Sequence, residues 1–190
     1  MLRISVILLL VFTALVGFAY PLAITGIARL AFPRQAEGSL IESNGRVIGS
    51  ERIGQQFAAP RFFHSRPSAT TPAYAANASS GSNLGPTNPA LVEAVRARVA
   101  ALRAEDPDNR AAIPVDLVTA SASGLDPEIS PAAAEWQVAR VARVRGVDPD
   151  RVRELVRRST RERQFGLLGE PGVNVLELNL ALEGLDGSKH

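Results

Sequence analysis

The chain has 190 residues, 46% hydrophobic and 21% charged, enough for one membrane anchor plus one modest domain and unlike a disordered chain. It has no cysteine and only two histidines, one of them the terminal His190. That excludes a disulfide scaffold, thiolate or multi-histidine metal sites, a Cys nucleophile and a lipidated N-terminal Cys, and it leaves His64 as the single interior imidazole for any Ser-His-Asp arrangement. Arg3 and Arg29 precede every acid, so residues 31–190 carry 19 basic groups (21 − 2) against 19 acids, and no concentrated positive face for nucleic acid follows from composition.

From Ile4 to Ala28 no residue is charged. At about 1.5 Å per residue this run spans roughly 37 Å, more than the ~30 Å hydrocarbon core of a bilayer. Arg3 and Arg29 close its ends and can reach the headgroups. Pro21 suggests a kink or helix end, with Tyr20 near the interface. Residues 1–30 are therefore read as an anchor helix. The competing reading is a cleaved signal peptide, with Ile4–Val16 as its apolar stretch and Gly17-Phe18-Ala19 offering small residues before a cut. The apolar run continuing to Ile27, and Pro21 just behind that cut, weigh against it. Arg3 faces Arg29 and Arg34 across the span, so charge does not set the orientation.

Residues 31–190 read as one small α+β domain. Leu40–Ser43 and Arg46–Ile48 flank Asn44-Gly45, the signature of a two-residue hairpin turn. Ile53–Phe57 is expected to extend that sheet. Residues 58–89 are rich in Pro, Ser, Ala, Asn and Gly and show no period, a length that is usually functional or mobile. Three helices follow, each starting with a capping residue and a proline: Asn88-Pro89, Ser130-Pro131 and Asp148-Pro149. The first is expected to turn Leu91, Val92, Val95, Val99 and Leu102 inward, and the third Val152, Leu155 and Val156. The second should end at Gly146. Pro114–Thr119 has strand character. Val173–Leu182 alternates like a strand, yet Asn174 and Glu177 resemble a capping box, which favours a short helix.

Arg140–Arg163 holds nine Arg against four acids. Without interleaved aromatics it reads as two solvated helix faces, not as a nucleic-acid surface. The loop 79–89 lacks the Gly-Lys-Ser/Thr of a phosphate loop. The loop 119–127 offers Ser121 and Ser123, but no Gly-x-Ser-x-Gly elbow surrounds them, and capping and turn hydrogen bonds are their ordinary use.

Several ordered motifs carry a resemblance. Phe57-x-x-Pro60-x-x-Phe63-x-x-Arg66-Pro67-Ser68-Ala69 is followed by Gly81-Ser82-Asn83-Leu84-Gly85-Pro86-x-Asn88-Pro89. Then come Pro114-Val115-Asp116-Leu117-Val118-Thr119-Ala120-Ser121 and Gly124-Leu125-Asp126-Pro127-x-Ile129-Ser130-Pro131. With Gly38-Ser39-Leu40-Ile41, Ile53-Gly54-Gln55, Gln137-x-x-Arg140-Val141-Ala142 and Gly169-Glu170-Pro171 before Val173-Asn174-Val175-Leu176, the chain resembles, nearly end to end, the C subunit of the bacterial Kdp potassium-transporting P-type ATPase. It departs from the family's usual pattern at Ala122, where Gly is common, and at Glu128, where His is common.

The resemblance implies one transmembrane helix (1–30) and an extracytoplasmic α+β domain (31–190) with a short sheet and three to four helices. It implies a single-pass protein of the bacterial cytoplasmic membrane, with a channel-like A subunit, an ATP-hydrolysing B subunit, a small F subunit and membrane lipid as partners, and no nucleic acid. It implies no catalysis and no cofactor bound directly, with ATP and potassium handled by the partners. The family is described as assisting ATP binding by the B subunit, which an external domain could do only by coupling through the complex. The segment 57–89, with Phe57, Phe63, Arg66 and Asn83, and the loop 116–130 are expected to form the docking surface for the A subunit, and the expected partner-binding residues are Gln55, Phe57, Phe63, Arg66, Ser68, Ser82, Asn83, Gly85, Asn88, Asp116, Thr119, Ser121, Ser123, Asp126 and Gln137. The alternatives are an anchored or exported hydrolase, resting on His64 with Ser121 or Ser123, and a small-ligand binding module.

Overall fold

A computed structural model describes residues 2–43 and 45–187. Two compact units divide at the 50/51 junction. In the first, Leu2–Ala31 is one continuous helix containing an 18-residue stretch of mean hydropathy 2.4, formed by α1 (Leu2–Phe12), a π-helical stretch (Thr13–Ala19) and α2 (Tyr20–Ala31). Of the kink or helix end expected at Pro21, the helix end does not occur. Pro21 sits in the first turn of α2, where the wider π turn before it supplies room for a ring that has no N–H to give. None of α1 or α2 is buried in the protein, so this long apolar surface needs an apolar surrounding, which fits a membrane anchor. A short α3 (Pro33–Ala36) leads to β1 (Leu40–Ser43) and β2 (Arg46–Ser50), an antiparallel hairpin with a register shift between Ile41 and Glu42. Gly45 has φ 72°, as a tight hairpin turn requires, while Asn44 lies outside the described residues.

The second unit is built on α4 (Pro89–Glu105), α5 (Pro131–Arg145), α6 (Pro149–Arg158) and α7 (Val175–Gly187). The three cap-and-proline starts hold. Asn88, Ser130 and Asp148 accept from the backbone N–H of Ala90, Ala133 and Asp150 at 2.9, 3.0 and 2.8 Å. Gly146 ends α5 in the left-handed region (φ 63°). The three-stranded antiparallel sheet has β5 (Gly172–Asn174) between β3 (Glu128–Ile129) and β4 (Thr160–Arg161). Ile129 and Thr160 both stand opposite Val173, which is fully buried. The core joins Phe63, Leu117, Ile129, Trp136, Val138, Val141, Val152, Val173, Leu178 and Leu182.

Four local expectations are corrected. Ile53–Phe57 forms no strand, and the hairpin sheet stays two-stranded. Val115–Leu117 is a 3₁₀ turn, because Asp116 turns back to receive the Ser130 N–H (2.7 Å) and hydroxyl (3.1 Å). Val173–Leu182 is divided: β5 ends at Asn174, whose side chain accepts from Glu177 N at 3.1 Å and starts α7. On α4 the expected inward face is only half-buried at Leu91, Val95, Val99 and Leu102, of which Leu102 packs on the core, and Val92 is exposed.

The irregular segment 54–83 contains no helix or strand, yet its polar backbone enters the core. Buried N–H and C=O groups must find partners, and here side chains of α5 and α7 supply them. Asn179 accepts from Phe63 N (2.8 Å) and donates to Phe63 O (3.0 Å). Gln137 accepts from His64 N (2.7 Å) and donates to His64 O (3.2 Å). Each amide thus pairs one residue as a neighbouring β-strand would. Arg140 donates to Pro60 O, to Phe62 O (3.1 Å) and to Gln137 Oε1 (2.7 Å). All three side chains are interior. Replacing Asn179 by Leu strands two buried backbone groups at ~1–3 kcal/mol each. Urea unfolding of the full chain in detergent, followed through Trp136, should show a loss of about 2–6 kcal/mol.

Candidate functional site

The motif-bearing loops meet each other. Gly54 N donates to Leu125 O (2.8 Å), Ser80 N and Ser79 Oγ donate to Ser123 O (both 3.0 Å), and Ser68 Oγ donates to Gly124 O (2.7 Å). Arg66 pairs with Asp126 (3.1 Å), and the Tyr74 hydroxyl donates to Arg66 O (2.6 Å). Ser68 Oγ also receives Thr70 N (3.2 Å) and Tyr74 N (3.0 Å). Glycine is required where backbones touch. A Cβ on Gly54 would lie 2.5 Å from Asp126 O, and one on Gly124 (φ 67°) 2.6 Å from Ser80 O. The left-handed residue of this loop is Gly124, not Ala122. The segment 54–83 and the loop 121–126 therefore form one interlocked platform.

The expected docking residues separate into three groups. Phe63 is fully buried and Gln137 is the inner clamp, so no partner reaches either side chain in the folded domain. Most of the others are engaged internally. Gln55 O receives Ser65 Oγ (2.8 Å), and Phe57 packs against the core. Ser68, Arg66 and Asp126 stitch the platform, and Asp116 brackets Ser130. Thr119 Oγ1 donates to Val115 O (2.8 Å), Ser121 Oγ accepts from Gly124 N (3.0 Å), and Ser123 Oγ accepts from Leu125 N (3.1 Å). Ser82, Asn83, Gly85 and Asn88 are exposed, and Asn88 caps α4. Among the described residues the side chains of Ser82 and Asn83 make no hydrogen bond, and Asn83 holds φ 52°.

Asn179, Arg140, Tyr74 and Thr70 were not read as site residues. The signal for Asn179 was present: Val175, Leu178, Asn179 and Leu182 share one inward face, and a polar residue at such a position needs a buried partner. Ala133, Gln137 and Arg140 follow the same logic on α5.

Burial raises the Tyr74 pKa above its ordinary value and lowers that of Arg98, whose Nη1 donates to Val118 O (2.8 Å). A cleft of about 430 Å³ opens between α4 and the 56–65 segment, lined by Phe57, His64, Arg98, Leu102, Glu105 and Leu117 among others. His64 directs Nδ1 at Phe57 O (2.6 Å) and Nε2 at Glu105 (2.8 Å). Ser121 and Ser123 instead face the backbone of their own loop, so imidazole and hydroxyls are not assembled as a nucleophile and base. Among the described residues no group of three or more His, Asp or Glu side chains could hold a metal ion. The Arg140–Arg163 run is largely spent on carboxylates: Arg143–Asp106, Arg145–Glu183, Arg153–Glu135, Arg157 and Arg158–Glu154, Arg161–Glu128 and Arg163–Glu170.

Residues 2–184 match the model of the family described as "K+-transporting ATPase, c chain". The chain belongs to this family, KdpC. A "Potassium-transporting ATPase KdpC subunit" of Sorangium cellulosum is 65% identical over 184 residues, covering 96% of this chain and 97% of that protein. Those of Methylococcus capsulatus and Dechloromonas aromatica are 62% and 56% identical, covering 95% and 97% of this chain and 96% and 97% of theirs. The chain is thus an accessory subunit of potassium transport, and its apolar N-terminal helix fits a membrane-bound transporter.

Two measurements check the platform. Gly54→Ala should lower the melting temperature by several degrees, as ~1–3 kcal/mol of overpacking requires, whereas Gly85→Ala, with no atom within 4 Å of its added Cβ, should leave it unchanged. The raised Tyr74 pKa means that its contribution is complete below the unfolded value of 10.0 and is lost as pH climbs through the folded value. Tyr74→Phe should therefore flatten the alkaline limb of a stability–pH curve while lowering stability near neutrality by about 1 kcal/mol.

Proposed function

We propose that the chain is a non-catalytic subunit that supports assembly and coupling of an ATP-driven potassium uptake complex. It docks the platform 54–83/121–126 on the channel-like A subunit. The observation that carries this reading is the platform cross-linked by hydrogen bonds between its two loops, which leaves Ser82, Asn83 and Gly85 on its exposed rim and engages Ser68, Ser121 and the Arg66–Asp126 pair internally. A surface of that kind offers fixed shape at low ordering cost, as docking needs and bond-making does not. The domain lies outside the cytoplasmic membrane in this reading. The B subunit hydrolyses ATP, the A subunit conducts potassium and a small F subunit completes the complex. Any promotion of ATP binding by the B subunit then comes from a binding free energy that differs between states of the complex, without contact to nucleotide.

Arg66 supports the platform through Asp126, whereas Asn83 stands clear of it, so the two positions separate folding from docking. Ser82→Arg, at the exposed neighbour of Asn83 that is not in the left-handed region, should leave the chain's melting temperature within a degree or two but reduce recovery of the A subunit in a detergent pull-down and slow potassium uptake. Full recovery and uptake would refute docking through this rim.

A further inference from the structure

The stretch between β4 and β5 forms a finger with an apolar tip. Its base is paired into the core sheet, where Thr160 and Arg161 stand opposite Val173 and Gly172. Its end is locked by Gln164 and Leu168, which exchange N–H···O bonds of 2.9 Å in both directions, and by Gly166 N donating to Arg163 O (3.1 Å). Phe165, Gly166 and Gly169 hold φ 54°, 73° and 79°. A phenylalanine in the left-handed region is uncommon. Phe165 is 92% exposed, Leu167 80% and Leu168 60%. Three large apolar side chains on one pre-ordered turn form a patch that water disfavours.

The charges nearby narrow the choice of what covers it. Arg161 is paired with Glu128 (2.7 Å) and Arg163 with Glu170, and Glu162 is exposed between them. The finger therefore offers no surplus cation to anionic lipid headgroups, which an interfacial membrane anchor ordinarily supplies. A second copy fits poorly too. Tip against tip would bury far less than the roughly 800 Å² per partner of a stable pair. Tip into another copy's cleft would be a head-to-tail contact that need not close. What remains is an uncharged, concave apolar socket on a different protein, with the finger as one hot spot in a larger contact.

We propose that Phe165, Leu167 and Leu168 form a second docking element that inserts into an apolar socket on another subunit of the potassium-transporting ATPase. This rests on the reading that the chain works inside that complex, but it concerns a surface separate in sequence from the platform.

The test places a photoreactive benzoyl-phenylalanine at position 165 of the full chain within the assembled, membrane-embedded complex. Irradiation should yield a covalent adduct to another ATPase subunit, identified by mass spectrometry, and the same label at Val144, 49% exposed on α5, should not. Alongside it, Phe165→Ser combined with Leu167→Ser should leave the melting temperature unchanged and reduce partner retention in detergent by at least about tenfold. An intact complex whose label reaches only lipid, a second copy or solvent would overturn the proposal, as would undiminished retention of the double variant. If the unaltered chain purifies without partners, the reading beneath it fails as well.

Discussion

A buried peptide group without a partner costs as much as many side-chain contacts gain. That constraint governs how residues 60–64 can enter this domain. They carry polar backbone into the interior without belonging to a helix or sheet, and Asn179, Gln137 and Arg140 receive it. These three side chains make a strand-like neighbour out of two helices. Phe63 can then fill the core, and the chain on either side is fixed in place. From that fixed point the segment 54–83 reaches the 121–126 loop, and Gly54 and Gly124 let the two backbones approach closely enough to bond directly.

Electrostatics follows the same economy. Arg140 is deeply buried, and desolvation lowers its pKa while Glu105 and Asp106 act in the opposite direction. Arg145 pairs with Glu183 and also lies over the Phe62 ring at 5.3 Å. Glu183, which accepts from both Arg61 and Arg145, is held below the usual carboxylate range chiefly by the hydrogen bond from Arg61. Basic groups that look like a surface patch along the sequence thus act one by one as cross-links. Phe165, Leu167 and Leu168 by contrast remain exposed apolar side chains on this domain.

Local grammar was legible in the chain. Asn88-Pro89, Ser130-Pro131 and Asp148-Pro149 announce helix starts because capping is satisfied within three residues. The apolar helix Leu2–Ala31 was equally plain, because composition alone determines it. The order of 54–83 was not legible, since the partners of His64 and Phe63 lie 73 and 116 residues away and leave no periodic trace. Pro114–Thr119 looked like a strand from its β-branched residues, but a single carboxylate, Asp116, decides its path. Gln137 and Phe63 belong to motifs that suggested docking, yet their role is interior. A motif residue can serve the partner surface by holding the platform under it.

The clamps from α5 and α7 should hold the irregular segment as firmly as the helices themselves are held. Native-state amide hydrogen exchange on the assembled complex tests this most directly. The amides of Phe63 and His64, and of Gly54 and Ser80 across the seam, should be protected to nearly the same free energy as those in the middle of α5. Exchange at these four amides orders of magnitude faster than in α5, under the same conditions, would contradict a rigid platform.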